Sequence, residues 1–249
     1  MVEFTRPCDK FKLQIREALR KPSSGWHTAR YSKSEYIYTT GQRDRMIYYI
    51  ESGQVKLLMC SPEGKQCLAA IRPPGEILGE LCLSGQPVRL ETAVAMEETI
   101  LKKISASDFL ASIKGSSMIE NFVQYLASRV SEQWEIICAL TTTDSEHRLA
   151  KTLLHLGKLL GTPDSSTIRI QNRISHIDLS AMVGTTRSRV GSFLKKFRQL
   201  GLVGMTAEGC LVIEQEKMQQ YLKQHTDQEP VPELASVIMD QSFQESDSV

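Results

Sequence analysis

The sequence predicts an α+β chain: an N-terminal double-sheet β-roll, then one long helix, then a C-terminal winged helix-turn-helix. Three observations carry that prediction. Short β-prone runs separated by turn residues recur between positions 25 and 106. Apolar residues then repeat four and three apart through Ile119, Val123, Leu126, Val130, Ile137 and Leu140. Finally, residues 175 to 197, SHIDLSAMVGTTRSRVGSFLKKF, read as two short helices around a tight turn, the second basic on its outer face.

At 249 residues the chain has room for two domains. No apolar run approaches the roughly 20 residues of a membrane helix. The opening MVEFTRPCDKFKLQIREAL lacks the apolar stretch of a secretory signal. Together these predict a cytoplasmic protein with no membrane partner. Cys8, Cys60, Cys67, Cys82, Cys138 and Cys210 are scattered, with no CxxC and no His at zinc-finger spacing. Reduced thiols and no metal site are the expectation. The net charge of +1 names no partner, but its distribution is uneven. Arg169, Arg173, Arg187, Arg189, Lys195, Lys196 and Arg198 face only Asp178, a local basic footprint.

Residues 1–24 read as a helical arm, with Phe11, Ile15 and Leu19 at helical spacing and a stop at Pro22. Residues 25–113 read as the roll. Its runs are Tyr36–Tyr38, Met46–Ile50, Val55–Met59, Cys67–Ile71 and Thr92–Ala95, separated by Gly41, Gly53, Pro62-Glu63-Gly64 and Pro73-Pro74-Gly75. Cys60 and Cys67 then sit nearly opposite on adjacent strands. They read either as two small hydrophobes or as a redox pair. A short helical piece follows Ser107.

Residues 114–143 read as a long helix and hinge, started by a Ser117/Glu120 capping box. Gln133 fills the one gap in the four-three repeat. Two readings stay open: an amphipathic helix buried on its own domain, or a parallel dimer seam in which Gln133 sets register. Thr141-Thr142-Thr143-Asp144 reads as a hinge with a fresh N-cap.

Residues 144–224 hold the reading head. Leu149, Leu153, Leu156 and Leu160 mark one helix, and Ile168–Ile170 a strand. Ser175 and Asp178 form a capping box, Val183-Gly184-Thr185 a turn, and Thr186 a cap. Val190, Leu194 and Phe197 face inward. Thr185, Thr186, Arg187, Ser188, Arg189, Ser192, Lys195 and Lys196 are the candidate contacts to double-stranded DNA. Arg187 and Arg189 can donate paired hydrogen bonds to guanine, while Lys195 and Lys196 suit phosphates. The alternative is a solvated basic face on a small helical domain. The hairpin that follows, Leu202-Val203 to Cys210–Ile213, favours the DNA reader.

Here the chain resembles the CRP/FNR family of bacterial transcription regulators. The resemblance lies in IYYIESGQVKLLMCSPEGKQCLAAIRPPGEILGELCL, in the seam helix ahead of a Thr-Asp hinge, and in HIDLSAMVGTTRSRVGSFLKKFRQLGLV. It covers about residues 28 to 215. It implies a cyclic-nucleotide-binding-like roll and a homodimer on a pseudo-palindromic operator, with RNA polymerase as a further partner. It implies dimer contacts through Ile119, Val123, Leu126, Val130, Gln133, Ile137 and Leu140, and Arg187 as a base reader. Ser188 and Ser192 depart from common family residues, so the operator should differ. The implied effector pocket comprises Gly79, Glu80, Leu81, Arg89, Leu90, Gln133 and Trp134. Leu90 replaces a hydroxyl residue, Glu91 a small one, and Gln133 and Trp134 replace base-contacting Thr and Ser. The expectation is therefore a signal other than ordinary cyclic AMP. A cyclic-AMP-responsive regulator, and a small-molecule sensor acting through a protein partner, are the alternatives. The directions of Leu90, Glu91 and Trp134 should decide the fate of a nucleotide pocket. The lone N-terminal cysteine speaks against an iron–sulfur cluster. His27 is a candidate axial haem ligand, with a structural or exposed histidine as the commoner reading of a lone His. No nucleophile–base pair, metal cluster or P-loop points to an enzyme.

Residues 225–249 read as an acidic tail. Asp227, Glu229, Glu233, Asp240, Glu245 and Asp247 meet no Lys or Arg, and Leu234, Val237, Ile238 and Met239 supply an apolar face. The tail reads as solvated, as docking on the roll or a partner subunit, or as competing with DNA for the basic helix.

Overall fold

The computed structural model describes residues 7–20, 25–86, 88–114, 117–164, 166–170, 174–207 and 209–226. The tail expectation, and Arg173, lie outside them.

Two four-stranded antiparallel sheets form the roll. One orders β1 (His27–Tyr31), β8 (Thr99–Ser105), β3 (Met46–Ser52) and β6 (Ile77–Leu78). The other orders β2 (Tyr36–Tyr38), β7 (Thr92–Ala95), β4 (Val55–Cys60) and β5 (Gln66–Arg72). The unbroken apolar run of β3 has a structural reason, because both its faces are covered. Tyr48 and Ile50 point into the roll with Tyr38, Val55, Leu57 and Leu101. Ile47 and Tyr49 point outward, under a helical layer. That layer comprises α1 (Pro7–Leu19), α2 (Ala106–Ile113) and the start of α3 (Met118–Thr142). The Phe11 ring packs at a tilt 5.1 Å from Phe122 and 5.2 Å from Tyr125. The arm read from Phe11 and Ile15 is therefore a docked layer of the roll.

One local expectation fails, and one open alternative closes. Ser117 has helical backbone angles and makes no side-chain cap, so the Ser117/Glu120 box does not form. Its hydroxyl instead accepts from the Gln14 amide at 3.4 Å, tying α3 to α1. Cys60 pairs across with Gln66, and Cys67 with Met59. Strand alternation then sends the two thiols to opposite faces, which removes the paired geometry a redox couple needs. His27 is exposed on the edge strand β1.

At the hinge, Thr141, Thr142 and Thr143 each turn a hydroxyl back to a carbonyl one turn earlier, at 3.1, 2.7 and 2.7 Å. These hydroxyls share carbonyls of the last turns of α3 with the backbone, and the Ala139 carbonyl also accepts from the Thr143 amide at 3.2 Å. Asp144 then caps α4 (Ser145–Leu160), accepting from the amides of Glu146 at 2.7 Å and His147 at 3.1 Å.

The C-terminal domain follows as β9 (Gly161–Asp164), β10 (Thr167–Ile170), α5 (His176–Val183), α6 (Arg187–Gln199), β11 (Val203–Met205), β12 (Leu211–Glu214) and α7 (Gln215–Thr226). Its sheet runs β11-β12-β10-β9. Strand β9 and helix α7 were not expected. Leu149, Leu153, Leu179, Val190, Leu194, Phe197 and Ile213 form one core that also takes in Leu68 and Ile71 of β5. The reading head thus packs directly on the roll.

Candidate nucleic-acid interface and effector pocket

Ser175 caps α5 as expected, its hydroxyl accepting from the Asp178 amide at 3.0 Å. The turn is closed by Gly184 at φ 67°, a left-handed conformation that favours glycine. A Cβ there would also meet Leu140 of α3 at 3.5 Å. Thr186 caps α6, its hydroxyl accepting from the Arg189 amide at 3.3 Å. Val190, Leu194 and Phe197 anchor α6 to the core. Arg187, Ser188, Arg189, Ser192 and Lys195 are exposed along its outer face. Thr186 is exposed at the entry, and Thr185 is half-buried beside it. The Arg189 guanidinium lies 5.6 Å from the Phe193 ring centre, which steadies its stem along the helix.

Lys196 differs from its neighbour. Its ammonium donates to Glu146 at 2.6 Å, and Tyr221 of α7 donates to the same carboxylate oxygen. Burial would raise the Glu146 pKa, but these two hydrogen bonds outweigh it and hold it low. Lys196 therefore ties α6 to α4 and α7, whereas Lys195 is in no ion pair among the described residues.

The residue that sequence reading missed is Arg148. Its Nε donates to the Val183 carbonyl at 2.9 Å, and its Nη1 donates to the Thr143 carbonyl. One guanidinium thus clamps the hinge to the turn of the reading head. Its only sequence signal is a cation four residues after the Asp144 cap.

In the roll, the chain brings Gly79, Glu80 and Arg89 together. Gly79 sits at φ 80°, and a Cβ there would lie 2.6 Å from Arg89 Nη1. Arg89 is buried and donates to the Gly79 carbonyl at 3.1 Å, to the Met46 carbonyl at 2.6 Å, and to Asp44. Its guanidinium also covers the Tyr38 ring at 4.2 Å. Glu80 pairs with Arg129 of α3 at 3.1 Å. Glu91 is buried and accepts from the Tyr38 hydroxyl at 2.6 Å. Its pKa is raised, chiefly by burial and then by the charge of Glu80. Leu81, Leu90, Gln133 and Trp134 are not in this cluster. Leu90 is 41% and Trp134 65% exposed, so both turn to solvent. Of the three residues whose directions mattered, only Glu91 enters the roll.

The seam residues lie along α3 as the repeat requires. Ile119, Val123, Val130, Gln133, Ile137 and Leu140 are exposed, and Leu126 is half-buried against the helical layer. The opposite face of α3 buries Met118, Phe122 and Tyr125.

Residues 28–116 match the family described as the cyclic nucleotide-binding domain, and residues 147–221 the Crp-like helix-turn-helix domain. The chain belongs to the CRP/FNR family of transcription regulators. It is 24% identical over 189 residues to the CRP-like cAMP-activated global transcriptional regulator of Mycobacterium tuberculosis, covering 76% of this chain and 84% of that protein. It is 29% identical over 174 residues to the cyclic AMP receptor protein of Thermus thermophilus, covering 70% and 77%. The solved structure of FixK2 from Bradyrhizobium japonicum superposes with a TM-score of 0.69 at 18% identity, over 78% of this chain and 96% of that one, which shows the shared fold. The Mycobacterium tuberculosis relative is named as a transcriptional regulator, and the family's members are regulators, not enzymes. This family member is accordingly a DNA-binding transcription regulator, with residues 147–221 as its DNA-binding part. No helix among the described residues is long and apolar enough to cross a membrane.

Proposed function

We propose that the protein is a cytoplasmic homodimer that reads a pseudo-palindromic operator and answers to a signal other than ordinary cyclic AMP. Two copies pair along the α3 seam and present two α6 helices about one turn of DNA apart. Arg187 and Arg189 read base edges, Lys195 holds a phosphate, and RNA polymerase is the partner through which binding changes transcription. The dimer reading is supported by the uncovered apolar row Ile119, Val123, Val130 and Ile137 on a helix whose other face is buried.

One observation carries the effector part: both Nη groups of Arg89 already donate, to Asp44 and two carbonyls, and only its buried Nε has no partner among the described residues. A cyclic phosphate would have to displace Asp44, find no hydroxyl at Leu90, and approach the buried carboxyl of Glu91. As they stand, these residues do not fit it.

The second reading, a cyclic-AMP-responsive regulator, is favoured by Gly79-Glu80-Leu81 and Arg89 and by the names of the two relatives. Gel shift over genomic fragments at fixed moderate salt separates the two. We expect selective binding of some fragments, unchanged by cyclic AMP. Arg187→Ala should weaken the selected fragment by about 5- to 150-fold, the 1–3 kcal/mol of a lost paired contact to guanine. Tightening of tenfold or more by cyclic AMP would establish the second reading. Absence of any selective fragment would overturn both.

A further inference from the structure

A cleft of about 300 Å3 opens where the roll, the seam helix and the reading head meet. Its floor is apolar, with Leu68 of β5, Ile136 and Ala139 of α3, Met182 of α5 and Leu222 of α7. One wall is a basic row along α4: Arg148, Lys151, His155 and Lys158 lie three, four and three residues apart, on one helical face. Arg148 is committed to the hinge carbonyls, and His155 Nε2 lies 3.1 Å from Glu132. Lys151 and Lys158 are exposed and in no ion pair among the described residues. The facing wall carries Glu132, held by Arg72 and His155, and the exposed Glu135.

We infer that this cleft is the docking site of the chain's own acidic tail, with Leu234, Val237 and Ile238 on the floor and Glu229, Glu233 and Asp240 against Lys151 and Lys158. Three observations select this occupant. The tail has the complementary chemistry, since six carboxylates and no Lys or Arg follow Gln224, with three apolar residues at helical spacing among them. It starts in the right place, because Leu222 lines the cleft and α7 ends four residues later at Thr226, about 6 Å along the axis. It is long enough, since the steps from Thr226 to Leu234 span up to about 26 Å when extended. Tethering supplies an effective concentration on the order of millimolar, so modest contacts suffice for occupancy. A segment seated there touches roll, seam helix and head at once. It fixes the angle between them and acts as a built-in ligand of the regulator.

The test uses the full chain and involves no DNA, so it stands or falls separately from the operator reading. Lysine acylation and amide exchange, read by mass spectrometry, are compared for the wild type, for Leu234→Asp with Ile238→Asp, and for Lys151→Glu with Lys158→Glu. In the wild type, Lys151 and Lys158 should acylate about fivefold more slowly than in the tail variant, as expected for a tethered segment largely bound. Amides of residues 234–239 should exchange faster in the lysine variant than in the wild type. Unchanged circular dichroism shows that each variant keeps its fold. Equal lysine reactivity with and without the tail substitutions overturns the assignment. So does protection that persists in the tail variant and disappears on dialysis, which would identify a separate small ligand as the occupant.

Discussion

Burial of Glu91 places a carboxyl where its charge is poorly tolerated. Desolvation and the neighbouring charge of Glu80 raise its pKa, and the hydrogen bond from Tyr38 only partly offsets them. A carboxyl with a raised folded-state pKa favours the native state while protonated. That stability is lost as pH rises from the ordinary carboxylate range through the folded value. Glu91→Gln keeps an acceptor for Tyr38 and never ionises. We expect it to raise Tm by a few degrees at pH 7 and to leave Tm nearly unchanged near pH 4, measured by calorimetry. An equal shift at both pH values would sink the argument. The same cluster shows where residue-scale reading stops. The replacements at Leu90 and Glu91 were visible beside Arg89. Asp44 was not, because it lies 45 positions earlier and reaches Arg89 only once β3 is paired into the roll. The outward turn of Leu90 and Trp134 was equally illegible, since nothing in a short motif fixes which way an irregular segment faces.

Helix α3 has two apolar faces with different partners. Met118, Phe122 and Tyr125 bury against the arm and the roll, while Ile119, Val123, Val130, Ile137 and Leu140 face solvent. Trp134, 65% exposed, flanks the second face. Val130→Glu with Ile137→Glu would place two carboxylates in each half of the proposed seam. Each buried Val or Ile contributes roughly 1.5–3 kcal/mol, so the dimer should weaken at least about 100-fold. Sedimentation equilibrium reads this directly. Because both positions are exposed in the single chain, the fold itself should persist, and an unchanged mass would refute the seam. The four-three repeat was legible because it is periodic over about three heptads, from Ile119 to Leu140. Strand β8 was not, because Lys102 and Lys103 interrupt its pattern. Lys102 reaches Glu51 at 3.4 Å and the Thr28 hydroxyl at 2.8 Å, keeping its charge at the sheet surface. Helix α7 carries its signal in Met218, Tyr221 and Leu222, which pack on the head's core, but a wing hairpin in sequence looks like the end of the domain. The Ser117/Glu120 pattern misled in the opposite way. A capping sequence forms a cap only when the chain enters extended, and here it enters already helical.

Across the whole molecule, the roll and the reading head are joined by polar links that no local pattern announces. Lys56 of β4 meets Asp178 of α5 at 2.9 Å. Arg72 of β5 donates twice to Glu132 of α3, at 3.1 Å each, and His155 of α4 meets the other Glu132 oxygen at 3.1 Å. One carboxylate therefore connects roll, seam helix and head. Burial alone would raise the Glu132 pKa, but the hydrogen bond from His155 and the charge of Arg72 outweigh it and draw it down to about 2. A carboxylate with a depressed folded-state pKa stabilises the native state fully above its ordinary value of about 4.3. That contribution is lost as pH falls from there towards about 2. Glu132→Gln leaves Arg72, only 2% exposed, without its counter-charge. The expected cost is about 3 kcal/mol at pH 7, typical of breaking one side of a buried pair. Urea unfolding at pH 7 and at pH 3 tests both parts. The gap between wild type and variant should be full at pH 7 and visibly smaller at pH 3, where the wild type has begun to lose the same contribution. A gap of equal size at both pH values would show that Glu132 acts through packing instead. Its charge would then not be what links the two domains.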